Sequence, residues 1–414
     1  MTSPIASLRS SRAASASVGQ YRPPEPCRYD FFQGQPDPGV YPVAELRAAF
    51  NAVFDDEGIT ACKYQGPGGR AEMAYGFTGL REEIARLLTA RDANVPGSKA
   101  LDASNIMVVN GSSHGLSLAV SGLIDPGDGV ILEQASFGAV LGYLQQAGAE
   151  VRTVPMDRDG MDIDALVARL TELKAAGHRV KLVYTIATFQ LPTGSVLSLE
   201  RRQRLLALAR EWDFMILEDN CYYAFHFDAP PPPTLLALDR AQADGGGRVL
   251  QSDSCSKTIA PGLRIGWMAG HPDALKALAA VRQDLGVSQI TARALARYLV
   301  SGSYASNVER ARLLLKQKRD AGVAALRKHC GQWVAFDTPP GGIYFWLEMS
   351  EAIDWPKVPA AAAAEGIALR AGELFSNDPR AERFVRLAWA HMSIKEIEEG
   401  IALFGKVLAR CAKR

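Results

Sequence analysis

From about Asn105 onward, short apolar runs alternate with longer stretches whose apolar positions recur at helical spacing. The runs NIMVVN, GVILEQ, EVRTVPM, KLVYTIA, FMILED, RVLQSD and RIGWMAG show little polar alternation, as expected of strands buried on both faces. Between them, HGLSLAVSGLI, ALVARLTELKAAG and ERRQRLLALAREW read as amphipathic helices. This order predicts a doubly wound α/β domain, a mainly parallel sheet with helices on both sides. Gly127 and Gly148 close helices or turns before strands, and Pro126 to Gly129 is a turn signal.

After about Asp284 the pattern changes. Long helical segments, ARALARYLVSG and SNVERARLLLKQKRDAGVAALRKH, are followed by a Gly-rich strand, GGIYFWLEM. Then come EGIALRAGELF, RFVRLAWAHM and a closing amphipathic helix, IKEIEEGIALFGKVLARCAKR, so a smaller α+β domain is expected here. On this reading residues 1–30 are a flexible N-terminal arm and 31–70 contribute to the small domain and to the site. Residues 71–285 form the large domain and 286–414 the small one. Ala229 to Arg248, with four consecutive prolines, is expected to be a loop, either a plain connector or a polyproline docking segment.

Composition narrows the partners. The 414 residues suit a large domain with a smaller one appended, since single domains usually run to roughly 100–200 residues. Lys and Arg number 46 and Asp and Glu 45, for a net charge of +1, so no global field favours nucleic acid or an anionic membrane. A small molecule is the expected ligand. With 48% hydrophobic and 22% charged residues, the chain can fill a core and is not disordered throughout. Six cysteines, at 27, 62, 221, 255, 330 and 411, show no Cys-x-x-Cys spacing, which argues against a disulfide framework or a metal site and for a cytoplasmic location. No apolar run reaches the roughly 18 residues that cross a bilayer. The first 24 residues, rich in Ser, Ala and Arg, superficially share their composition with organelle transit peptides, but a flexible arm accounts for them without a targeting role and is the expected reading.

Three segments carry chemistry. Ser252 to Trp267 places Lys257 directly after Ser252, Ser254 and Ser256 just past a strand, then a Pro-Gly turn, then Arg264 seven residues on. An amine there can form a Schiff base, while serine hydroxyls and a two-pronged arginine suit a phosphate. Glu218 and Asp219 end a strongly apolar strand, where carboxylates of α/β proteins face the ligand crevice, and one of the pair would partner a protonated pyridine nitrogen. Asn110 to Gly115, between strand and helix, offers small residues and free N–H groups to a phosphate.

Taken in order and spacing, the lysine string, Asp219-x-x-Tyr222, the Gly111-Ser112-Ser113-His114 turn and Gln190-Leu191-Pro192-Thr193-Gly194 resemble fold-type I pyridoxal phosphate enzymes. They are most similar to class I/II aminotransferases of the aminoadipate and kynurenine branch, and the resemblance runs from about Phe31 to the C-terminus. It implies a seven-stranded sheet, pyridoxal 5′-phosphate, amino-group transfer between an L-amino acid and a 2-oxo acid, and a homodimer with shared sites. It gives Lys257 the Schiff base and the proton transfer, Asp219 the pyridinium nitrogen and Tyr222 the ring oxygen O3′. Ser112, Ser113, Ser254, Ser256 and Arg264 fall on the phosphate cup, and Phe137 on a ring stacked over the pyridine, with ordinary core packing as its alternative. Arg386 falls on the clamp for the substrate α-carboxylate, with a surface salt bridge as its alternative, and Gly34 on the backbone lying over the substrate. Tyr64 is the choice for a phosphate ligand donated by the neighbouring subunit, with Tyr75 as fallback.

Leu191 departs from the pattern, in which an asparagine amide bonds O3′. Losing a charge-assisted hydrogen bond is worth about 1.5 to 3 kcal/mol. Either Gln190, His114 or a water replaces it, or the site has moved toward a lyase, cyclase or oxidase reaction. Cys221 and Cys255 are expected to pack rather than react, and His114 to make a structural hydrogen bond or approach the substrate. A ligand-sensing regulator of this fold would carry a DNA-binding module first; with about 30 residues before the match, that is not expected.

Overall fold

In the computed structural model, which describes residues 27–64 and 68–413, the seven apolar runs form one sheet. Most of the expected N-terminal arm, and Gln65 to Pro67, lie outside the described residues. The strands are β1 (Ile106–Val109), β2 (Gly129–Glu133), β3 (Glu150–Val154), β4 (Val180–Thr185), β5 (Met215–Asp219), β6 (Val249–Ser254) and β7 (Gly266–Ala269). Their spatial order is β1-β7-β6-β5-β4-β2-β3, and every residue of β1, β2 and β7 is buried. Such strands need cover on both faces, and the intervening helices supply it.

Only β7 runs against its neighbours, pairing antiparallel with both β1 and β6. The connection between Ser254 and Gly266 explains why. It holds one short helix, α1 (Cys255–Thr258), and a turn at Pro261–Leu263. A parallel return needs a crossover of about a dozen or more residues, usually a full helix. The short link therefore keeps Lys257 and Arg264 at the sheet's edge instead of carrying the chain over its face.

A second, antiparallel sheet of β8 (Val334–Ala335), β9 (Tyr344–Met349), β10 (Arg370–Ala371) and β11 (Phe384–Ala388) has the order β8-β9-β11-β10. It packs with α2 (Ser303–Cys330) and α3 (Ile394–Arg410). Helix α3 begins with a Ser393/Glu396 capping box and buries Ile397, Ile401, Phe404 and Leu408 on one stripe. Tyr29–Asp30 pairs in parallel with Ile367–Ala368, and Phe31 packs against Gly400. The start of the described chain is thereby tied to this second sheet.

One feature differs from the sequence expectation. Within the proline-rich segment, Leu235–Arg240 is a helix capped by Thr234, with Leu235, Leu236 and Ala237 buried and Asp239 accepting from the Gly247, Arg248 and Val249 amides. The prolines end at Pro233, which leaves the apolar residues after them free to turn inward. Upstream, Val43–Glu57 and Thr78–Arg91 are helices, and Gln289–Val300 packs on both.

Gly266 shows how closely the sheet and the site are joined. A Cβ there would fall 2.7 Å from the Ser112 nitrogen and 2.8 Å from the Asp253 oxygen. Gly266→Ala is expected to destabilise the apoprotein by about 1–3 kcal/mol in urea unfolding; unchanged stability would show that the turn at Ser112 shifts freely.

Candidate active site

A cavity of about 920 Å³ opens where β1, β4, β5 and β6 end, closed on its far side by the second sheet. Gly34, Phe137, Asp219, Tyr222, Lys257 and Arg386 all line it. So do Ser112, Ser113, Ser256 and Arg264. Residues from as far apart as positions 34 and 386 are thus brought together.

The helix Ser112–Leu123 starts here behind Gly111, whose φ is +80° and whose Cβ would lie 2.7 Å from an Arg264 Nη. The helix N-terminus and the arginine thus lie close together, an arrangement suited to an anion. Arg264 itself donates to the Asn110 and Pro261 carbonyls at 3.3 and 3.5 Å. Ser254 is the exception among the expected phosphate residues. Its hydroxyl accepts from the Ser256 N–H at 3.1 Å and shapes the turn, and Ser254 does not line the cavity.

Strand geometry separates the acidic pair, because successive side chains point to opposite faces. Glu218 turns away to accept from the Leu235 and Leu236 amides and from Gln251, 3.6 Å from Arg202. Asp219 faces the cavity and is 7% exposed. Burial raises its pKa, against the hydrogen bonds it accepts from Cys221 at 3.2 Å and Tyr184 at 3.0 Å. A desolvated carboxylate so placed favours a cationic N–H opposite it.

Lys257 Nζ donates to the Gly34 carbonyl at 2.5 Å and lies 5.9 Å from the Tyr222 ring centre. Gly34 has no room for a side chain, since a Cβ would come 2.3 Å from the Tyr344 hydroxyl. The salt-bridge alternative for Arg386 is not what the fold builds. Its guanidinium is buried, donates to the Phe31 and Phe32 carbonyls, leaves Nε without a partner, and sits 4.7 Å from the Tyr344 ring centre. Burial lowers its pKa to about 10. Lys257, Arg264 and Arg386 thus share one cavity, and each donates to backbone carbonyls.

These residues fit a phosphate ester carrying a ring nitrogen: anion donors around Arg264, a dry carboxylate at Asp219, an amine at Lys257 and a further anion place at Arg386. Tyr64, 77% exposed, and Tyr75, whose ring lies 5.4 Å from the Arg81 guanidinium, stand outside the cavity of their own chain. Cys221 and Cys255 are buried thiols whose pKa burial raises.

Leu191 presents only hydrocarbon to the cavity. Gln190 does not replace an asparagine there, because its Nε2 donates to the Ala135 carbonyl and to Glu133, and its Oε1 accepts from Thr193. His114 accepts from the Asn110 amide and lies 3.6 Å from Asp284. Sequence reasoning missed Tyr344, at the start of β9, whose hydroxyl is 2.6 Å from that of Tyr222. Its signal was a tyrosine directly after Gly341-Gly342-Ile343, in a segment read only as a strand.

A mainly parallel seven-stranded sheet whose edge holds a lysine, a dry aspartate and an anion cup defines a fold-type I pyridoxal phosphate enzyme. The chain belongs to the class I and II aminotransferase family, whose sequence pattern matches residues 69–404. It is an aminotransferase, and its cofactor is pyridoxal phosphate. It is 31% identical over 383 residues to aromatic-amino-acid aminotransferase 1 of Thermococcus litoralis, covering 92% of this chain and 88% of that one. It is 28% identical over 384 residues to the uncharacterized HTH-type transcriptional regulator YdfD of Bacillus subtilis, covering 92% and 74%. The kynurenine aminotransferase of Pyrococcus horikoshii, solved with PMP, superposes with a TM-score of 0.88 at 27% identity over 99% of both chains. Nothing in these similarities favours the lyase, cyclase or oxidase alternative. Among the described residues no helix is long and apolar enough to cross a membrane, and no His, Cys, Asp and Glu cluster could hold a metal.

Two carboxyls on the large sheet, the buried Glu133 and the half-buried Asp253, set a pH dependence. Burial pushes Glu133 and Asp253 each up to about 7. Acids raised in this way contribute most stability below their ordinary range and lose that contribution as pH climbs toward 7. Urea unfolding of the apoprotein should therefore show stability falling between about pH 4 and pH 7 and levelling above, and Glu133→Gln should flatten the decline. An equal slope in the variant would mean that Glu133 does not titrate there.

Proposed function

We propose that this chain moves an amino group from an L-amino acid to a 2-oxo acid with Lys257 as the cofactor's Schiff-base partner and as the base that carries the proton. The observation behind this is the buried Arg386, which has carbonyl acceptors only and shares its cavity with Lys257 and Asp219. When bound, pyridoxal phosphate supplies an aldehyde carbon for the substrate amine and a ring that accepts electron density from Cα.

Each residue then has a task at a stated atom. Ser112, Ser113, Ser256, Arg264 and the helix N-terminus bind the phosphate, with Ser254 holding Ser256 in place. Asp219 pairs with the pyridine N–H, held by Tyr184 and Cys221. Tyr222 donates to O3′, and Phe137 covers the ring. Arg386 takes the substrate carboxylate, which orients the Cα–H bond toward Lys257 Nζ. The Gly34 carbonyl holds that amine in place and its backbone covers the substrate. One nitrogen serves donor and acceptor substrates in turn, as a ping-pong cycle requires.

The working unit is a homodimer in the cytoplasm. Val43, Phe54, Ile59 and Tyr64 are 59%, 48%, 80% and 77% exposed within one short stretch of the chain, which supports cover by a second copy and Tyr64 as the residue given to its phosphate site. All six cysteines are free, as suits a reducing compartment. We retain the division at 31–70, 71–285 and 286–414, with Gln289–Val300 bridging back to the first helices.

Mixing the holoenzyme with single amino acids, without acceptor, should convert the cofactor's absorption to the pyridoxamine form for the true donor. Return to the starting spectrum with release of a deaminated product would instead mark a lyase. Arg386→Gln should lower kcat/KM about 10- to 100-fold for amino acid and oxo acid alike; an unaffected value would remove Arg386 from the substrate site.

A further inference from the structure

We propose that Tyr344 is a positioning residue for cofactor chemistry: its hydroxyl donates to that of Tyr222, so that the single proton of Tyr222 is directed into the cavity. This rests on the reading above, in which Tyr222 donates to the cofactor's O3′.

The geometry carries the assignment. The two hydroxyls are 2.6 Å apart, with the rings edge to face at a centroid separation of 5.5 Å. Both residues line the cavity. A phenol has one proton to give and lone pairs to receive. If Tyr222 donated to Tyr344, it would have none left for the cavity; when Tyr344 donates, Tyr222 is free to donate onward, and the two bonds polarise each other in the same direction. Tyr344 is held in place for this. The Arg386 guanidinium lies 4.7 Å from its ring centre, β9 pairs it with Ala388, and position 34 is a glycine because any Cβ would strike its hydroxyl at 2.3 Å.

None of the groups expected to stand in for an amide at position 191 does this. Leu191 has no donor, the Gln190 amide is committed to Glu133, Ala135 and Thr193, and His114 faces Asn110 and Asp284. The charged and titratable groups around the pair are Lys257, Asp219, Cys221, Arg370 and Arg386. None of them replaces a hydroxyl proton aimed at the Tyr222 oxygen. Tyr344 thus supplies through Tyr222 what an amide at position 191 would supply directly.

The test reads the visible absorption of the reconstituted holoenzyme against pH, without substrate. A donor withdrawn from O3′ leaves that oxygen more electron-rich, so the proton it shares with the cofactor-bound nitrogen is retained to higher pH. Tyr344→Phe, which removes one oxygen atom and keeps the ring, should raise the midpoint by about 0.5 to 1 pH. Tyr222→Phe should raise it at least as far, and the double variant no further than Tyr222→Phe alone. A midpoint unchanged in Tyr344→Phe but raised in Tyr222→Phe overturns the relay and leaves the role of Tyr222 standing. No change in either variant overturns the role of Tyr222 and the relay with it. Additive rises in the double variant also overturn it, because Tyr344 would then reach the cofactor independently.

Discussion

A buried arginine without a paired carboxylate, Arg386, is the constraint on which this site depends. An uncompensated charge taken out of water costs several kcal/mol, so a buried arginine normally brings its carboxylate with it. Arg202, Arg240 and Arg293 do so in this molecule, with Glu218, Asp92 and Glu57. Arg386 does not; the half-buried Lys257 and the exposed Arg264 also donate to carbonyls, but they keep part of their water. Their acceptors are carbonyl dipoles, which soften the cost without cancelling the charge. Such a cavity is stabilised by anions that arrive from solution, and a phosphate at one place with a carboxylate at another are the anions this family handles.

The backbone makes this possible through a reversed strand and a glycine. Because β7 returns antiparallel along β6, the short connection between them stays at the sheet edge and presents Lys257 and Arg264 together. Gly266 lets that return pass within contact of the Ser112 turn, so the turn after β1 and the β6–β7 link converge. The second sheet contributes Arg386 and Tyr344 on adjacent strands, with Trp346 directly opposite Arg386 across the pairing. Fold and chemistry are therefore coupled at a few close contacts.

Much of this was legible in the chain. All seven runs became strands close to their expected limits; six carry a largely apolar signal, while the edge strand β3 is only partly buried. Lys257, Asp219, Ser112 and Arg264 were readable because each stands beside a strand end or turn with its own local signature. Other features depend on three-dimensional neighbours. Whether Glu218 or Asp219 faces the cavity follows from strand phase; that Ser254 supports a turn follows from one hydrogen bond. The Tyr222–Tyr344 contact joins residues 122 positions apart, which no local pattern encodes. Helix Val43–Glu57 lacked a clean stripe, since apolar residues such as Val43 and Phe54 are exposed while Ala49 and Val53 are buried.

The central claim is that one lysine, Lys257, is the amine that holds the cofactor. Borohydride reduction of the holoenzyme fixes the linkage irreversibly, and peptide mass mapping then locates it. A phosphopyridoxyl group on the peptide carrying Lys257, and on no other, is the predicted result. The same label on a different lysine, with Lys257 unmodified, would contradict the account.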